Sequence, residues 1–289
     1  MRLRTGLLAT AIATLIGAAS CAPVKILNTI TPSGSFEKTK NISYGPLERQ
    51  KLDIYRSEDP RADSPVLVFI HGGSWDHGSK DLYKFLAEGF TSEGFDVVVP
   101  NYRLYPDVIY PKMIEDSAQA VDYAVKQFPD REIVLMGHSA GAYNMLMVGL
   151  APNYLKAAGG DLCRDISGLV SLAGPTGAIK LKEEPYISIF PDRFYSDDAP
   201  INNLTGPRPP LFLAHGSEDE RVHPRNSEDL AEKIVKKGGV ATAKIYEGKN
   251  HTDMVKHISG LFDGDSTLKD DIIQFITNLP DKSEGSYCQ

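Results

Sequence analysis

Six short apolar runs, separated by segments with helical periodicity, constrain this chain more than any other feature of its sequence. They are Pro65–Ile70, Phe95–Val99, Glu132–Met136, Gly168–Leu172, Leu211–Ala214 and Ala243–Tyr246. Most lack polar alternation, which marks strands covered on both faces. Between them, the segment from Pro111 to Phe128 places Ile114, Ala118, Val121, Val125 and Phe128 at steps of four and three, one buried helical stripe. Pro111 suits the first turn, where its missing N–H costs nothing, and Pro129 closes the segment. Similar stripes join Leu230 and Ile234 with Ala231 and Val235, and Leu268, Ile272, Phe275, Ile276 and Leu279. Strand and helix in alternation predict right-handed crossovers and an α/β fold, a mainly parallel sheet with helices on both faces. There is no internal repeat and no second composition regime, so residues 41–289 read as one domain, a size that a single core can still fill.

The first twenty residues read differently. Arg2 and Arg4 precede an uncharged run from Thr5 to Ser20, with an apolar core from Leu7 to Ala19. Such a run is an export signal over residues 1–20. It is short for a bilayer span of roughly 20 apolar residues, carries Thr10 and Thr14, and is followed by Pro23. Ala18-Ala19-Ser20-Cys21 resembles the lipobox of bacterial lipoproteins, which implies a lipidated Cys21 and attachment to a membrane of the bacterial cell envelope. Ala18 stands where that family prefers Leu, and the same small residues suit an ordinary signal peptidase, so a periplasmic or secreted chain stays open. Residues 21–40, rich in Thr, Ser, Lys and Pro, read as a tether.

With Cys21 assigned to a lipid, Cys163 and Cys288 remain, and two readings stand: a disulfide in an oxidising compartment, or a small buried hydrophobe and a tail residue. The 31 basic and 38 acidic residues give a formal net charge of -7 with no basic stripe, which excludes a nucleic-acid partner. Residues 175–209 hold six prolines together with Tyr186, Phe190, Phe194 and Tyr195. This stretch reads as a small cap insertion, either a lid over a substrate pocket or a surface excursion packing its own aromatics.

The strongest chemical signal is Gly137-His138-Ser139-Ala140-Gly141, a G-x-S-x-G between an apolar strand and an Ala/Met/Leu-rich helix. A sharp strand-to-helix turn there would strain Ser139 and stand its Oγ at the carboxyl edge of the sheet, in front of a helix N-terminus. His71-Gly72-Gly73-Ser74-Trp75 follows another strand. In these two motifs and their order the chain resembles the α/β-hydrolase superfamily, in its carboxylesterase and lipase branch with an HGG motif. The resemblance implies an oxyanion hole made by the N–H of Gly73, with Gly72 or Ser74 as alternatives, and by the N–H of Ala140. Ser74 replaces the third glycine of the longer HGGG form.

A serine hydroxyl needs a base to take its proton and a carboxylate to hold that base. Both occur in the order of the family. His215-Gly216-Ser217-Glu218-Asp219 follows a strand and makes Asp219 the acid; Gly248-Lys249-Asn250-His251 follows the next and makes His251 the base. Glu218 and Glu220 read as solvated charges, His257 as a surface or packing residue, and His71 and His215 as fixing the shape of their loops. Trp75 and His138 are candidates for substrate contact, with a core role as the alternative for Trp75.

No H-E-x-x-H, paired C-x-x-C or G-x-G-x-x-G is present, so neither a metal nor another cofactor is implied. Asn101-Tyr102-Arg103-Leu104 resembles a turn found in HGG-type esterases and in arylformamidases. The expected activity is therefore an exported serine carboxylic-ester hydrolase acting on a small-molecule ester. The alternatives are an arylformamidase-like or kynurenine formamidase-like amide hydrolase, a peptidase on the same residues, or a non-catalytic envelope binding module. The sequence leaves acyl preference and oligomeric state open.

Overall fold

The computed structural model describes residues 24–62, 64–179, 183–191, 198–204, 206, 208–261 and 267–280. Among these, eight strands form one sheet: β1 Phe36–Ser43, β2 Lys51–Ser57, β3 Val66–Ile70, β4 Val97–Pro100, β5 Ile133–His138, β6 Ile166–Leu172, β7 Leu211–Gly216 and β8 Ala241–Tyr246. Their order is β1-β2-β4-β3-β5-β6-β7-β8. Strands β3 to β8 are parallel, and β1 and β2 add an antiparallel edge. The helices are α1 over 24–30, α2 Lys84–Thr91, α3 Lys112–Gln127, α4 Ala140–Leu150, α5 Pro152–Ala158, α6 Leu162–Asp165, α7 Tyr186–Ile189, α8 Arg225–Lys236, α9 Asp253–Lys256 and α10 Thr267–Thr277.

The unbroken apolar runs have a simple origin. Along β3, Val66, Val68 and Ile70 join a cluster with α3, α4, α5 and α8, whereas Leu67 and Phe69 join a second cluster with α1, α2, α9 and α10. The side-chain period of two is present, but both faces of the sheet are covered, so no polar residue marks it. The α3 stripe is buried at Ile114, Ala118 and Val121, with Phe128 closing it. On α8 the stripe is narrower than expected: Leu230, Ala231 and Ile234 are buried, but Val235 is 54% exposed.

The tether expected over 21–40 is not what the structure shows from residue 24 onward. Helix α1 lays Val24, Leu27 and Thr31 against the body, all three buried. Asn28 clamps it from both sides, donating to Asp81 O at 2.8 Å and accepting from Lys84 N at 2.6 Å. Strand β1 then forms the outer edge of the sheet. Its charged sequence conceals it, since an edge strand carries lysines that discourage pairing with another chain. One of them, Lys38, reaches the fully buried Asp53 at 2.7 Å, and the buried Lys80 meets the same carboxylate at 2.8 Å.

Within 175–209, Ile189 and Phe190 are buried and Tyr186 packs against the core, so these aromatics do not form an exposed lid. The Phe190 ring lies 4.8 Å from Trp75 and 5.3 Å from Tyr110. Phe194 and Tyr195 lie outside the described residues. Cys163 is disulfide-bonded, not a free buried thiol; its partner lies outside the described residues, as do Cys21, Cys288 and the expected export signal.

The turn Asn101-Tyr102-Arg103-Leu104 is fastened to α3 by charge. Asp116 is fully buried and accepts from Arg103 Nε at 2.7 Å, Arg103 Nη2 at 2.7 Å, Arg103 N at 2.9 Å and Gln50 Nε2 at 2.9 Å. Removing one partner of a buried ion pair leaves the other uncompensated. Arg103→Met is therefore expected to lower unfolding free energy by about 3 kcal/mol, read from urea melts. A loss below about 1 kcal/mol would show that the pair is effectively solvent-screened.

Candidate active site

Strand β5 turns into α4 at Ser139, which holds φ 54° and ψ −124°, a left-handed conformation that a non-glycine residue adopts only under constraint. The constraint is visible on both sides. Ser139 N donates to Leu172 O at 3.0 Å, and Ser139 O accepts from Ala142 and Tyr143 in the first turn of α4. Gly141 must be glycine, because a Cβ there would stand 2.1 Å from Ile70 O and 2.4 Å from His71 O. The first turn of the helix thus sits directly on the end of β3.

That close approach brings the loop after β3 beside the serine. A Cβ on Gly72 would lie 3.2 Å from Ser139 Cβ. Gly73, Ser74 and Trp75 follow with φ of 124°, 49° and 62°, three consecutive left-handed residues. Neighbouring groups hold them there. The Tyr102 hydroxyl donates to His71 O at 3.0 Å while its ring stacks on His71 at 4.6 Å. The Trp75 indole N–H donates to Asn144 Oδ1 at 2.8 Å, and its ring meets Tyr143 and Phe190 edge-on. Trp75 is only 3% exposed and does not line the cleft, so its place is the core: it bolts the loop to α4 and does not present a surface to substrate.

Two further loops approach from β7 and β8. His251 Nδ1 donates to Asp219 Oδ2 at 2.7 Å, and both residues are buried. Asp219 Oδ1 accepts from Arg221 N and Val222 N, each at 2.9 Å. His215 Nε2 lies 3.1 Å from Asp219 Oδ2 and 2.8 Å from Val222 O. Both are acceptors, so Nε2 carries the proton and Nδ1 accepts from the Ser227 hydroxyl at 2.8 Å. Burial alone would raise the Asp219 carboxyl, but hydrogen bonds from His215 and His251 outweigh it and hold the group well below the usual carboxylate range. Its neighbours Glu218 and Glu220 are exposed.

With Nδ1 committed to Asp219, the other nitrogen of His251 is left to accept a proton. Ser139 and His251 line one cleft, together with Gly72, Gly73, Ser74 and His138. Ala140 lies behind the serine as the first residue of α4, where backbone N–H groups have no partner within the helix. His138 is buried, and its Nε2 donates to the backbone oxygen of His251 at 2.9 Å. It therefore ties the serine's strand to the histidine's loop, a role the sequence does not reveal. The remaining wall residues, among them Val24, Leu82, Tyr83, Arg221 and Val255, were also not legible. Val24 falls in the stretch that composition reads as a tether, and the others carry no motif.

Burial lowers the pKa of His71 to about 4 and of His138 to about 3, with nearby His251 adding to the second shift. A histidine whose folded value lies below its unfolded value of about 6.5 binds fewer protons when folded, so acidification between those values favours the unfolded chain. Asp219 acts in the same sense at lower pH, since its depressed value adds stability above about pH 4 that is lost as it protonates. The urea midpoint is expected to be level above pH 7 and to fall steadily from pH 6.5 to 4, and His138→Gln should flatten part of that fall. A midpoint independent of pH across this window would contradict the buried neutral imidazoles.

A mainly parallel eight-stranded sheet with a strained serine elbow after β5 is the architecture of the α/β-hydrolases. The chain belongs to the BD-FAE family within them, whose model matches residues 52–234. It is similar to the "Probable isoprenylcysteine alpha-carbonyl methylesterase ICMEL1" of Arabidopsis thaliana, 27% identical over 244 residues that cover 74% of this chain and 51% of the relative. It spans between 51% and 65% of the length of the methylesterases it matches. The kynurenine formamidase of Drosophila melanogaster is 23% identical over 247 residues, covering 80% of this chain and 78% of the relative. Among solved structures, Esterase B from Lactobacillus rhamnosis, inhibited by a tributyrin phosphonate, shares the fold with a TM-score of 0.77. It is 18% identical, with 95% of this chain and 97% of that chain covered.

Proposed function

We propose that this protein is a serine hydrolase of carboxylic esters, with Ser139 as nucleophile, His251 as base and Asp219 as the acid that orients it. The observation that carries this reading is the His251–Asp219 hydrogen bond set beside a strained serine in one cleft. Ser139 Oγ attacks the ester carbonyl carbon and passes its proton to His251 Nε2. The carbonyl oxygen becomes an oxyanion held by the amides of Gly73 and Ala140, with Gly72 and Ser74 completing the loop. The C–O bond to the alcohol breaks, His251 returns the proton to the departing oxygen, and an acyl-serine remains. Water, deprotonated by His251, then attacks the acyl carbon; the bond to Ser139 Oγ breaks, His251 returns the proton to that oxygen, and the acid is released. Asp219 stays ionised throughout and stabilises the imidazolium.

Hydrolysis of p-nitrophenyl acetate tests the assignment. Ser139→Ala is expected to lower kcat by at least about 10⁴-fold and Asp219→Asn by about 10⁴-fold. A fluorophosphonate should label the wild type but not Ser139→Ala. Full activity in Ser139→Ala would remove the mechanism, and failure of the wild type to react with any fluorophosphonate would favour a non-catalytic module.

One observation supports a second reading, an aryl formamide as substrate. The formamidase relative is matched over 78% of its own length, against 51% for the Arabidopsis methylesterase. The same residues cleave a formyl C–N bond, with the arylamine as leaving group. Comparing kcat/KM for aryl formamides and aryl esters separates the two.

We further propose export and a lipid at Cys21. Val24 on the cleft wall is three residues beyond it, a reach of at most about 10 Å, so an anchor there would keep the cleft close to the membrane surface. Incorporation of labelled fatty acid, abolished in Cys21→Ala, is the expected result.

A further inference from the structure

The cleft has two kinds of wall. The lining includes Ser139, the loop glycines and imidazoles, and also the apolar side chains of Val24, Leu82, Tyr83 and Val255. Val24 comes from an element that lies outside the matched family region, which begins at residue 52. It is nevertheless built into the body. Leu27 is buried in the same cluster as Tyr83 and Val255, Asn28 clamps Asp81 and Lys84, and Lys84 Nζ donates to Thr31 O at 2.6 Å. These bonds hold α1 against Leu82 and Tyr83.

The departing alcohol oxygen must lie near His251, which protonates it. Leu82, Tyr83 and Val24 line the same cleft as Ser139, so they are available to a group retained on it. We propose that α1 forms the end of the acyl subsite, with Val24 as the residue that sets how long a linear aliphatic acyl group the site accepts. The proposal rests on Ser139 and His251 acting as assigned above. An apolar wall in the serine's own cleft favours acyl groups short enough to fit before it and opposes longer ones. One methylene too many or too few in an apolar pocket changes kcat/KM by about tenfold or more.

The test is the kcat/KM profile over p-nitrophenyl esters from acetyl to octanoyl, measured on the full chain. Val24→Ala should raise the hexanoyl-to-acetyl ratio at least tenfold, mainly through a lower KM for the longer ester. Val24→Trp should lower the butanoyl-to-acetyl ratio by a similar factor. Asn28→Ala, which loosens the clamp without touching the cleft, should move the profile in the direction of Val24→Ala. Ile26→Ala, altering a residue 63% exposed on the outer face of the same helix, should leave the profile as in the wild type. Fluorophosphonate labelling of Ser139 is followed in each variant. Labelling and Ser139-dependent hydrolysis with the same acyl profile in both Val24 variants would overturn this inference alone. Wild-type protein that neither labels nor hydrolyses any ester would overturn the catalytic assignment beneath it.

Discussion

Backbone packed on backbone, where the first turn of α4 meets the end of β3, is the contact from which the site follows. Gly141 allows it, since the Ile70 and His71 carbonyl oxygens occupy the space any side chain would need. Strands β3 and β5 are adjacent and in parallel register from Val66 with Ile133 to Ile70 with Gly137, so their following loops emerge side by side. One supplies the serine, the other a run of left-handed residues of which Gly73 and Ser74 line the same cleft. Holding Ser139 at positive φ costs of order 1–3 kcal/mol. That cost is offset by α4, all eleven residues of which are buried between the sheet and its neighbours. A helix buried along its whole length carries a strained residue at its head.

Around this contact, histidines work as fasteners as much as reagents. His71 donates Nδ1–H to Gly72 O, His138 donates to the backbone of His251, and His215 bridges Val222 and Ser227 beneath Asp219. A neutral imidazole suits this work because it offers a donor and an acceptor on a rigid ring without the desolvation cost of a buried charge. The full charge on the buried Asp219 is surrounded by four donors from two amides and two imidazoles. The acid is thereby kept ionised, and His251 is oriented by a group that cannot rotate away.

Much of this was legible in the residues because parallel sheets write themselves as apolar runs and elbows as spaced glycines. The strands from β3 to β8, the α3 stripe and the elbow at Ser139 follow from local pattern, whereas Asp219 after β7 and His251 after β8 came from the order that the resemblance implies. Trp75 was not readable in the same way. An aromatic after a glycine-rich loop looks the same in sequence whether it faces substrate or Asn144, and only the partner decides. The same holds for Phe190 and Tyr186, whose proline-rich surroundings suggested exposure although their rings have core neighbours. Val235 shows the converse error, since a periodic apolar position needs an opposing surface to be buried, and α8 lacks one there.

Helix α1 and strand β1 escaped for a deeper reason. Helix α1, described over 24–30, is fixed by distant partners. Its order comes from docking: two buried apolar side chains, the Asn28 clamp and a lysine reaching Thr31 O. Composition registers none of these, because each depends on a partner more than fifty residues away. Elements held by few contacts open locally at lower free energy than the core. Ser139, Asp219 and His251 follow β5, β7 and β8, whereas part of the wall of the cleft that holds Ser139 and His251 is supplied by α1, docked from outside the matched family region. Under the proposed mechanism the reacting side chains and this part of the wall come from separate segments of the chain, so Val24 can vary without a change at Ser139, Asp219 or His251.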